Sequence, residues 1–291
     1  MIAPKYSVSR LIASKLKSLS PTRGAEYFAI IGFLIISSII LMAILAPLIA
    51  PYNPIKKTGE LLASPNPKFI LGTDGLGRDI LSRIIYGARI AICVTFLAIS
   101  FSLSCGVLLG LLSGYIGGKL DSVFSLVMDA VYSFPGLILA IVLAAMLGPG
   151  IVNTAIAIAV IYTPTYFRIV RGLVLSLKES LFVEAARAIG AKDRTILFRY
   201  ISPNVLSSVP IVLSLNAADA VLTLAALSFL GLGLPAPTPD WGFDLKAGHA
   251  YLASRIWWPS TFPGLMIVLL TLGFSLFGEG ISEMLNPELG R

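Results

Sequence analysis

Residues 130–167 read AVYSFPGLILAIVLAAMLGPGIVNTAIAIAVIYTPTYF, a run without a single Asp, Glu, Lys or Arg. A helix needs about 20 apolar residues to cross a hydrocarbon core of about 30 Å, so this run is long enough for two crossings. Gly148, Pro149 and Gly150 lie inside it, and these residue types favour a tight turn over a continuing helix. The stretch therefore predicts two membrane-spanning helices joined by a very short connection.

The remainder of the chain has the same character. Of its 291 residues, 56% are hydrophobic and 13% are charged, whereas a soluble domain carries roughly 25% charged residues. Helices are the expected spanning form, because backbone polar groups in lipid must be satisfied within the segment. We therefore predict an all-α polytopic membrane protein with about six transmembrane helices. The expected spans are 28–50, 90–113, 123–147, 151–167, 205–232 and 259–278.

The distribution of Lys and Arg predicts the orientation of these spans. With the N-terminus inside, the inner segments hold most of the 22 Lys and Arg residues, as the positive-inside rule requires. Arg78, Arg83 and Arg89 run against the rule, and we expect them at the membrane surface with their charged heads among the lipid headgroups. The predicted division is a cytoplasmic tail (1–27), a first transmembrane helix (28–50), an extracytoplasmic segment (51–89), a five-helix core (90–282) with a cytoplasmic loop (168–204), and a cytoplasmic C-terminal tail (283–291).

The inner loop 168–204 is the longest and mixes both signs of charge. Its second part reads as a helix, then Gly190, then more helix, and glycine suits a helix end where φ is positive. A short amphipathic helix pair has to bury its apolar stripe against its own bundle, a lipid surface or a soluble partner. The residues that recur at helical spacing before the glycine are Leu181, Phe182, Ala185, Ala186 and Ile189.

Within this loop, Glu184-Ala185-Ala186, then Gly190 and then ISPN at 201–204 resemble the "EAA" loop of permease subunits in binding-protein-dependent ABC importers. In that family the loop forms the coupling helix, which sits in a groove of the cytoplasmic ATPase subunit. The resemblance implies that Glu184 contacts the ATPase and that the two small alanines let the backbone of the ATPase approach closely. The coupling residues that it implies are Glu184, Ala185, Ala186, Gly190, Ala191, Arg194 and Pro203.

Other segments are similar to one group of this family, the importers of dipeptides, oligopeptides and nickel. The likeness runs from about residue 28 to the end and is greatest to the second ("C") of the group's two permease subunits. Three positions depart from the pattern: Ser202 before Pro203, where Leu is common, Leu224, where an acid is frequent, and Leu126, where Arg is frequent. The segments are GTDGLGRD at 72–79, SR at 82–83, GAR at 87–89, LSFLGLG at 227–233, DWG at 240–242 and NP at 286–287.

The resemblance also implies an assembly in a bacterial plasma (inner) membrane. This chain would pair with a second homologous permease subunit as a heterodimer. Two cytoplasmic ATP-binding subunits and an extracytoplasmic solute-binding protein would complete the complex. The outer loop 234–258, with Trp241, Trp257 and Trp258, is a candidate docking surface, although interfacial anchoring of its tryptophans is an equal alternative.

The residues argue against several other kinds of function. His249 is the only histidine, so a multi-histidine metal site or a histidine-based triad inside the membrane is excluded. No glycine-rich phosphate loop ends in Lys-Ser or Lys-Thr, so we expect ATP hydrolysis on separate subunits and no cofactor here. The net charge of +7 has a simple explanation in cytoplasmic loops, and no basic stretch with interleaved aromatic residues indicates nucleic-acid binding.

Two acids, Asp129 and Asp219, fall inside apolar runs. A charge there costs about 2.5–3.5 kcal/mol on insertion scales and is usually functional or paired. Asn216 lies about one turn before Asp219. Both a role in the translocation path or subunit interface and a purely structural hydrogen-bonding role stay open for these three residues.

The sequence thus predicts a permease subunit of an ATP-driven importer for di- or oligopeptides that forms half of the translocation path and works by alternating access. Nickel or another small solute is the alternative cargo. A stand-alone secondary transporter is the alternative from another class, but it would show repeated halves or ionisable residues in several spans. A membrane-bound enzyme is disfavoured by the shortage of His and Cys.

Overall fold

The computed structural model of the protein describes residues 21–285, and the regular structure within them is almost entirely helical. Five of these helices are long and apolar enough to cross a membrane, and a bent helix pair raises the number to six. The predicted all-α polytopic fold is therefore confirmed. Residues 1–20 of the predicted tail 1–27 and the NP pair at 286–287 lie outside the described residues. The helices are α1 (Pro21–Ile49), α2 (Ile80–Ile116), α3 (Gly118–Tyr132), α4 (Gly136–Leu147), α5 (Ile151–Leu177), α6 (Leu181–Ala188), α7 (Asp193–Thr195), a π-helical turn (Ile196–Ile201), α8 (Ser202–Leu206), α9 (Val209–Leu230), α10 (Trp241–His249), a 3-10 turn (Leu252–Ser254) and α11 (Trp258–Leu285).

The predicted third span is broken in two. Its halves α3 and α4 meet at an angle of 93°, and the break lies at residues 133–135. Pro135 is the N-cap of α4; it has no backbone N–H to donate, and it disfavours helical backbone at Phe134 before it. With 12 residues, α4 is only about 18 Å long, which is shorter than a full crossing.

The connection between α4 and α5 is the predicted tight turn. Gly148 and Gly150 have φ angles of 77° and 155°, which only glycine adopts readily. Asn153 closes the turn, since its side-chain amide donates to the carbonyl oxygen of Leu147 at 2.7 Å.

Several helices differ in length from the predicted spans: α1 begins at Pro21 rather than 28, and α11 continues to Leu285 rather than 278. α2 begins at Ile80 rather than near residue 90, because the Asp79 side chain accepts a hydrogen bond from the backbone N–H of Ser82 and caps the helix. α5 continues ten residues beyond the predicted end at 167, and α9 begins at Val209 rather than 205. Helices therefore take up part of the predicted segments 51–89 and 168–204, while the position of the membrane surface stays a prediction.

α2 runs the length of the bundle and defines its two ends. We call the end at Ile80 the distal end, where the 50–79 segment and α10 lie against the helix. We call the end at Ile116 the loop end, where residues 178–208 lie against it. Trp241 contacts α2 at the distal end and Asp193 contacts it at the loop end.

α2 and α5 pack closely because small residues recur along α2. Gly106, Gly110 and Gly114 face α5, and a Cβ at Gly110 would lie 2.8 Å from the Phe167 carbonyl oxygen and 2.9 Å from Val170 Cβ. Small residues four apart let two backbones approach in a membrane, where dispersion contacts between helices replace the hydrophobic effect. We call this packed pair of helices, α2 and α5, the frame, because elements at both ends of the molecule pack against it.

We expect Gly110→Val to lower the thermal unfolding temperature of the detergent-purified protein, because the added methyl groups would overlap α5. Overpacking of this kind costs about 1–3 kcal/mol. Gly172→Val is the matched control, since a Cβ at this helical glycine would meet no atom within 4 Å. Equal unfolding temperatures for the two variants would show that the helices do not pack through Gly110.

Candidate functional site

The loop helix α6 is short and has a well-defined end. Glu184 lies in its first turn, where a carboxylate complements the positive end of the helix dipole. At its C-terminus, Gly190 with φ 81° donates to the Arg187 carbonyl at 2.9 Å, and Ala191 N–H donates to the Ala186 carbonyl at 3.0 Å. These two bonds form a Schellman motif, which requires a left-handed residue and explains the glycine.

One side of this loop is fastened to the bundle by apolar contacts. Val183 and Ala186 of α6 are buried in a cluster with residues of α2 and α5, and Ala186 is only 4% exposed. The expected role of Ala186 in receiving a partner's backbone is therefore corrected, because its methyl group already packs inside this chain. The other buried members of the cluster are Leu111, Val170, Val174, Ile196, Leu197, Ile201, Val205 and Val209.

Polar contacts fasten the same region to α2. The hydroxyl of Tyr115 donates to the Asp193 carboxylate at 2.6 Å, and Lys178 reaches the Gly114 carbonyl oxygen at 3.4 Å. Both bonds are made by the last turns of α2: one holds Asp193 in the middle of the loop, and the other holds Lys178 at its start. These bonds connect the loop to the frame formed by α2 and α5.

The opposite side of α6 is exposed and apolar. Leu181 and Ile189 are 82% and 81% exposed, and Phe182, Glu184 and Ala185 are also exposed. The predicted stripe thus divides, since Ala186 points inward and the others point outward. Of the remaining predicted coupling residues, Gly190, Arg194 and Pro203 are exposed and Ala191 is half-buried.

The acids predicted inside the membrane have different surroundings. Asp129 is paired with Arg168 at 2.7 Å, and the Arg168 guanidinium lies over the Tyr132 ring at 4.1 Å. Asp129 is thus neutralised within the chain, near the loop end. Asp219 lies halfway along α9 and is exposed.

Asn216 and the hydroxyls of Tyr162 and Thr223 are further polar groups along this part of α9. Asn216 is buried, and its Nδ2 has no hydrogen-bond partner among residues 21–285. The hydroxyls of Tyr162 on α5 and Thr223 on α9 lie 3.0 Å apart. Asp219 and Thr223 are four residues apart and share one face of α9, so the carboxylate is close to this hydroxyl pair.

At the distal end the structure reveals a buried ionic cluster that the sequence did not predict. Arg83 is 1% exposed, and its guanidinium donates to both carboxylate oxygens of Asp244 on α10, the shortest bond being 2.6 Å. It also donates to the carbonyl oxygens of Pro54 at 2.9 Å and Pro237 at 3.3 Å. One side chain therefore joins α2, the 50–79 segment, α10 and the linker before α10.

This cluster corrects the expected position of the arginines. Arg78 is also buried and bonds to Asp74 at 2.6 Å, so neither Arg78 nor Arg83 reaches lipid headgroups, while Arg89 is exposed. Burial raises the pKa of Asp244 to about 6 although Arg83 opposes the shift. The Arg83 guanidinium donates to both oxygens of Asp244, an arrangement that favours the ionised carboxylate.

Two tryptophans of the expected docking loop form hydrogen bonds within the chain at the distal end. Trp241 is buried and its Nε1 donates to the Ile84 carbonyl at 3.0 Å, and Trp258 donates to the Thr73 carbonyl at 3.2 Å. Only Trp257 of the three is exposed. Asp240 caps α10 and accepts from Ser228 at 2.7 Å, so the DWG and LSFLGLG segments pack on each other.

The fold defines a polytopic helical membrane protein that exposes a short helix at its loop end, and comparisons with known proteins identify its family. The family described as "Binding-protein-dependent transport system inner membrane component" matches residues 106–291. A second family, "N-terminal TM domain of oligopeptide transport permease C", matches residues 27–65. The chain belongs to the family of binding-protein-dependent transport system inner membrane components.

Individual relatives are similar over nearly the whole chain. The dipeptide transport system permease protein DppC of Alkalihalophilus pseudofirmus is 41% identical over 94% of this chain and 91% of its own length. The di/tripeptide transport system permease protein DppC of Pseudomonas aeruginosa is 36% identical over 99% and 97%. The glutathione transport system permease protein GsiD of Escherichia coli is 38% identical over 91% and 88%. The resemblance to the C-type permease of peptide importers is confirmed.

Proposed function

We propose that this chain is the C-type permease subunit of an ATP-driven importer for di- and oligopeptides and forms half of its translocation path. The observation that carries the proposal is the loop helix α6, which is fastened to the bundle on one side and exposes apolar Leu181 and Ile189 on the other. Its relatives are named for dipeptide, di/tripeptide and glutathione transport, which favours short peptides as cargo over nickel.

The proposed complex has four kinds of subunit. A second homologous permease completes the path, two ATP-binding subunits hydrolyse ATP at the loop end, and a solute-binding protein delivers peptide at the distal end. The loop end and both termini would then lie on the cytoplasmic side of a bacterial inner membrane. The Lys and Arg asymmetry and the family's membership in inner membrane systems support this orientation.

The geometry suggests how ATP binding reaches the path. Leu181, Ile189 and Ala185 would enter a groove of the ATPase, and Glu184 would pair with a basic residue there. When the two ATPase subunits close, α6 moves with them. Val183 is buried in a cluster that includes residues of α5, and Tyr115 on α2 holds Asp193. The frame of α2 and α5 would therefore move too, and the bundle would change its open side.

Copurification from detergent-solubilised membranes tests this proposal. We expect the tagged wild-type chain to bring down an ATPase and a second permease, and Ile189→Asp to lose the ATPase while keeping the permease. A buried carboxylate in an apolar groove costs several kcal/mol unless it is paired. Leu252→Asp is the matched control, since Leu252 is an exposed leucine at the distal end.

The same preparation separates the importer from its rival. Vesicles that contain the complex should take up a labelled dipeptide only when ATP is supplied inside. A chain that purifies alone and moves solute without ATP would be a secondary transporter, and the importer proposal would be wrong.

A further inference from the structure

We infer that Asp219, with the joined hydroxyls of Tyr162 and Thr223, forms a subsite in the translocation path that binds the terminal ammonium group of the transported peptide. This inference rests on the proposed function and names the part of the cargo that this surface recognises. The site lies where α9 meets α5, about midway along α9.

Asp219 differs from the two acids of α3 in both position and pairing. It lies near the centre of a 22-residue helix and is exposed. Asp129 is paired with Arg168, and Asp121 is paired with Arg171 at 2.5 Å. Within residues 21–285 no Lys or Arg lies within ion-pair distance of Asp219. A carboxylate at this depth usually has a partner or faces a water-filled cavity, and the described chain offers Asp219 no cation.

The hydroxyl groups next to Asp219 are arranged as acceptors. The Thr223 hydroxyl donates to the backbone carbonyl oxygen of Asp219 at 2.9 Å, which uses its single hydrogen. The hydrogen bond to Tyr162 at 3.0 Å must therefore be donated by the tyrosine. Both hydroxyl hydrogens are committed, so only oxygen lone pairs and the carboxylate remain to face a ligand.

An acceptor set with a negative charge fits a group that has several N–H donors and a positive charge. A peptide's terminal ammonium has three such donors, and peptides of every sequence share it. Recognition of this common group would hold different cargoes in one register while their side chains vary. Leu215 and Leu222, one turn to either side of Asp219, are exposed and offer apolar contact to those side chains.

Uptake by the reconstituted complex tests the inference, with radiolabelled alanyl-alanine as the probe. The complex contains this chain, its partner permease, the ATPase subunits and the solute-binding protein in proteoliposomes. We expect Asp219→Asn to lower the initial rate of uptake by about tenfold or more, the order expected for losing a charged hydrogen bond. Asp219→Glu should retain most of the rate, because it keeps the charge. Leu230→Asn is the matched control, because Leu230 is an exposed leucine at the distal end of the same helix and lies outside the subsite.

Two further readouts separate recognition from structure. The subunit composition of the Asp219→Asn complex, and its ATP hydrolysis when the loaded binding protein is added, should equal those of wild type. Uptake by Asp219→Asn at the wild-type rate would overturn the inference alone. Loss of the partner permease from this variant would overturn it as well, because the carboxylate would then pair across the subunit interface. No uptake of dipeptide by wild type would overturn the proposed function itself.

Discussion

Replacing Arg83 by Met should lower the thermal stability of the protein more than any other single change at the distal end. The substitution leaves the Asp244 carboxylate buried without its cation, and it removes the donor from the carbonyl oxygens of Pro54 and Pro237. Breaking a buried ion pair by removing one partner costs about 3–5 kcal/mol. We expect the midpoint of thermal unfolding in detergent to fall accordingly.

Two controls show whether the pair itself is responsible. Arg89→Met removes an exposed arginine from the same helix and should change stability by no more than about 0.5 kcal/mol. The double variant Arg83→Met/Asp244→Leu should be more stable than Arg83→Met alone, because it removes the stranded charge. If the double variant is no better, the cost comes from the lost carbonyl contacts or from packing and not from the unpaired carboxylate.

Arg83 also shows where prediction from sequence stops. Hydropathy fixed the number of spans, because the length of an apolar run is a local property. The partner of Arg83 lies 161 residues away along the chain, and no periodicity connects the two positions. The two segments that meet here, SR at 82–83 and DWG at 240–242, were both recognised as parts of one family pattern. Each of these two segments lies near charged residues that the predicted spans leave without a role. The occurrence of both segments in one chain was the available signal that they are in contact.

The bend between α3 and α4 has a similar explanation. Pro135 was visible in the sequence, and proline weakens a helix at a known position. Many proline-containing helices nevertheless continue, as α5 does through Pro164. Whether the chain turns depends on the packing available to each half, which is a tertiary property. The sequence therefore indicated where a break was possible and not that the span would turn through a large angle.

The loop helix shows what periodicity can and cannot determine. The spacing of apolar residues and Gly190 predicted a short helix and its end, and both are present. Periodicity alone did not show that α6 has two apolar sides. Val183 and Ala186 face the bundle, while Leu181 and Ile189 face outward. Only the structure assigns each residue to a side, and that assignment separates attachment from the proposed coupling surface.

Replacing Gly190 by Pro should abolish coupling while leaving the bundle folded. Proline holds φ near −65°, but this position has φ 81°. The Gly190 N–H that donates to Arg187 would also be lost, so the Schellman motif cannot form and the exposed side of α6 changes direction. The helices of the bundle do not depend on this turn. We therefore expect ATP-dependent uptake to fall at least about tenfold, a loss of transition-state stabilisation of about 1.4 kcal/mol.

Gly190→Asn is the control that isolates backbone geometry, because asparagine tolerates the left-handed region and keeps its N–H. We expect it to retain most of the uptake. The measurements are uptake and stimulated ATP hydrolysis by the reconstituted complex, together with the amount of partner permease that copurifies. If Gly190→Pro keeps the partner permease and loses both activities while Gly190→Asn keeps them, the turn after α6 positions the ATPase contact. If Gly190→Pro imports as fast as Gly190→Asn, the exposed side of α6 does not carry the coupling, and another surface at the loop end must do so.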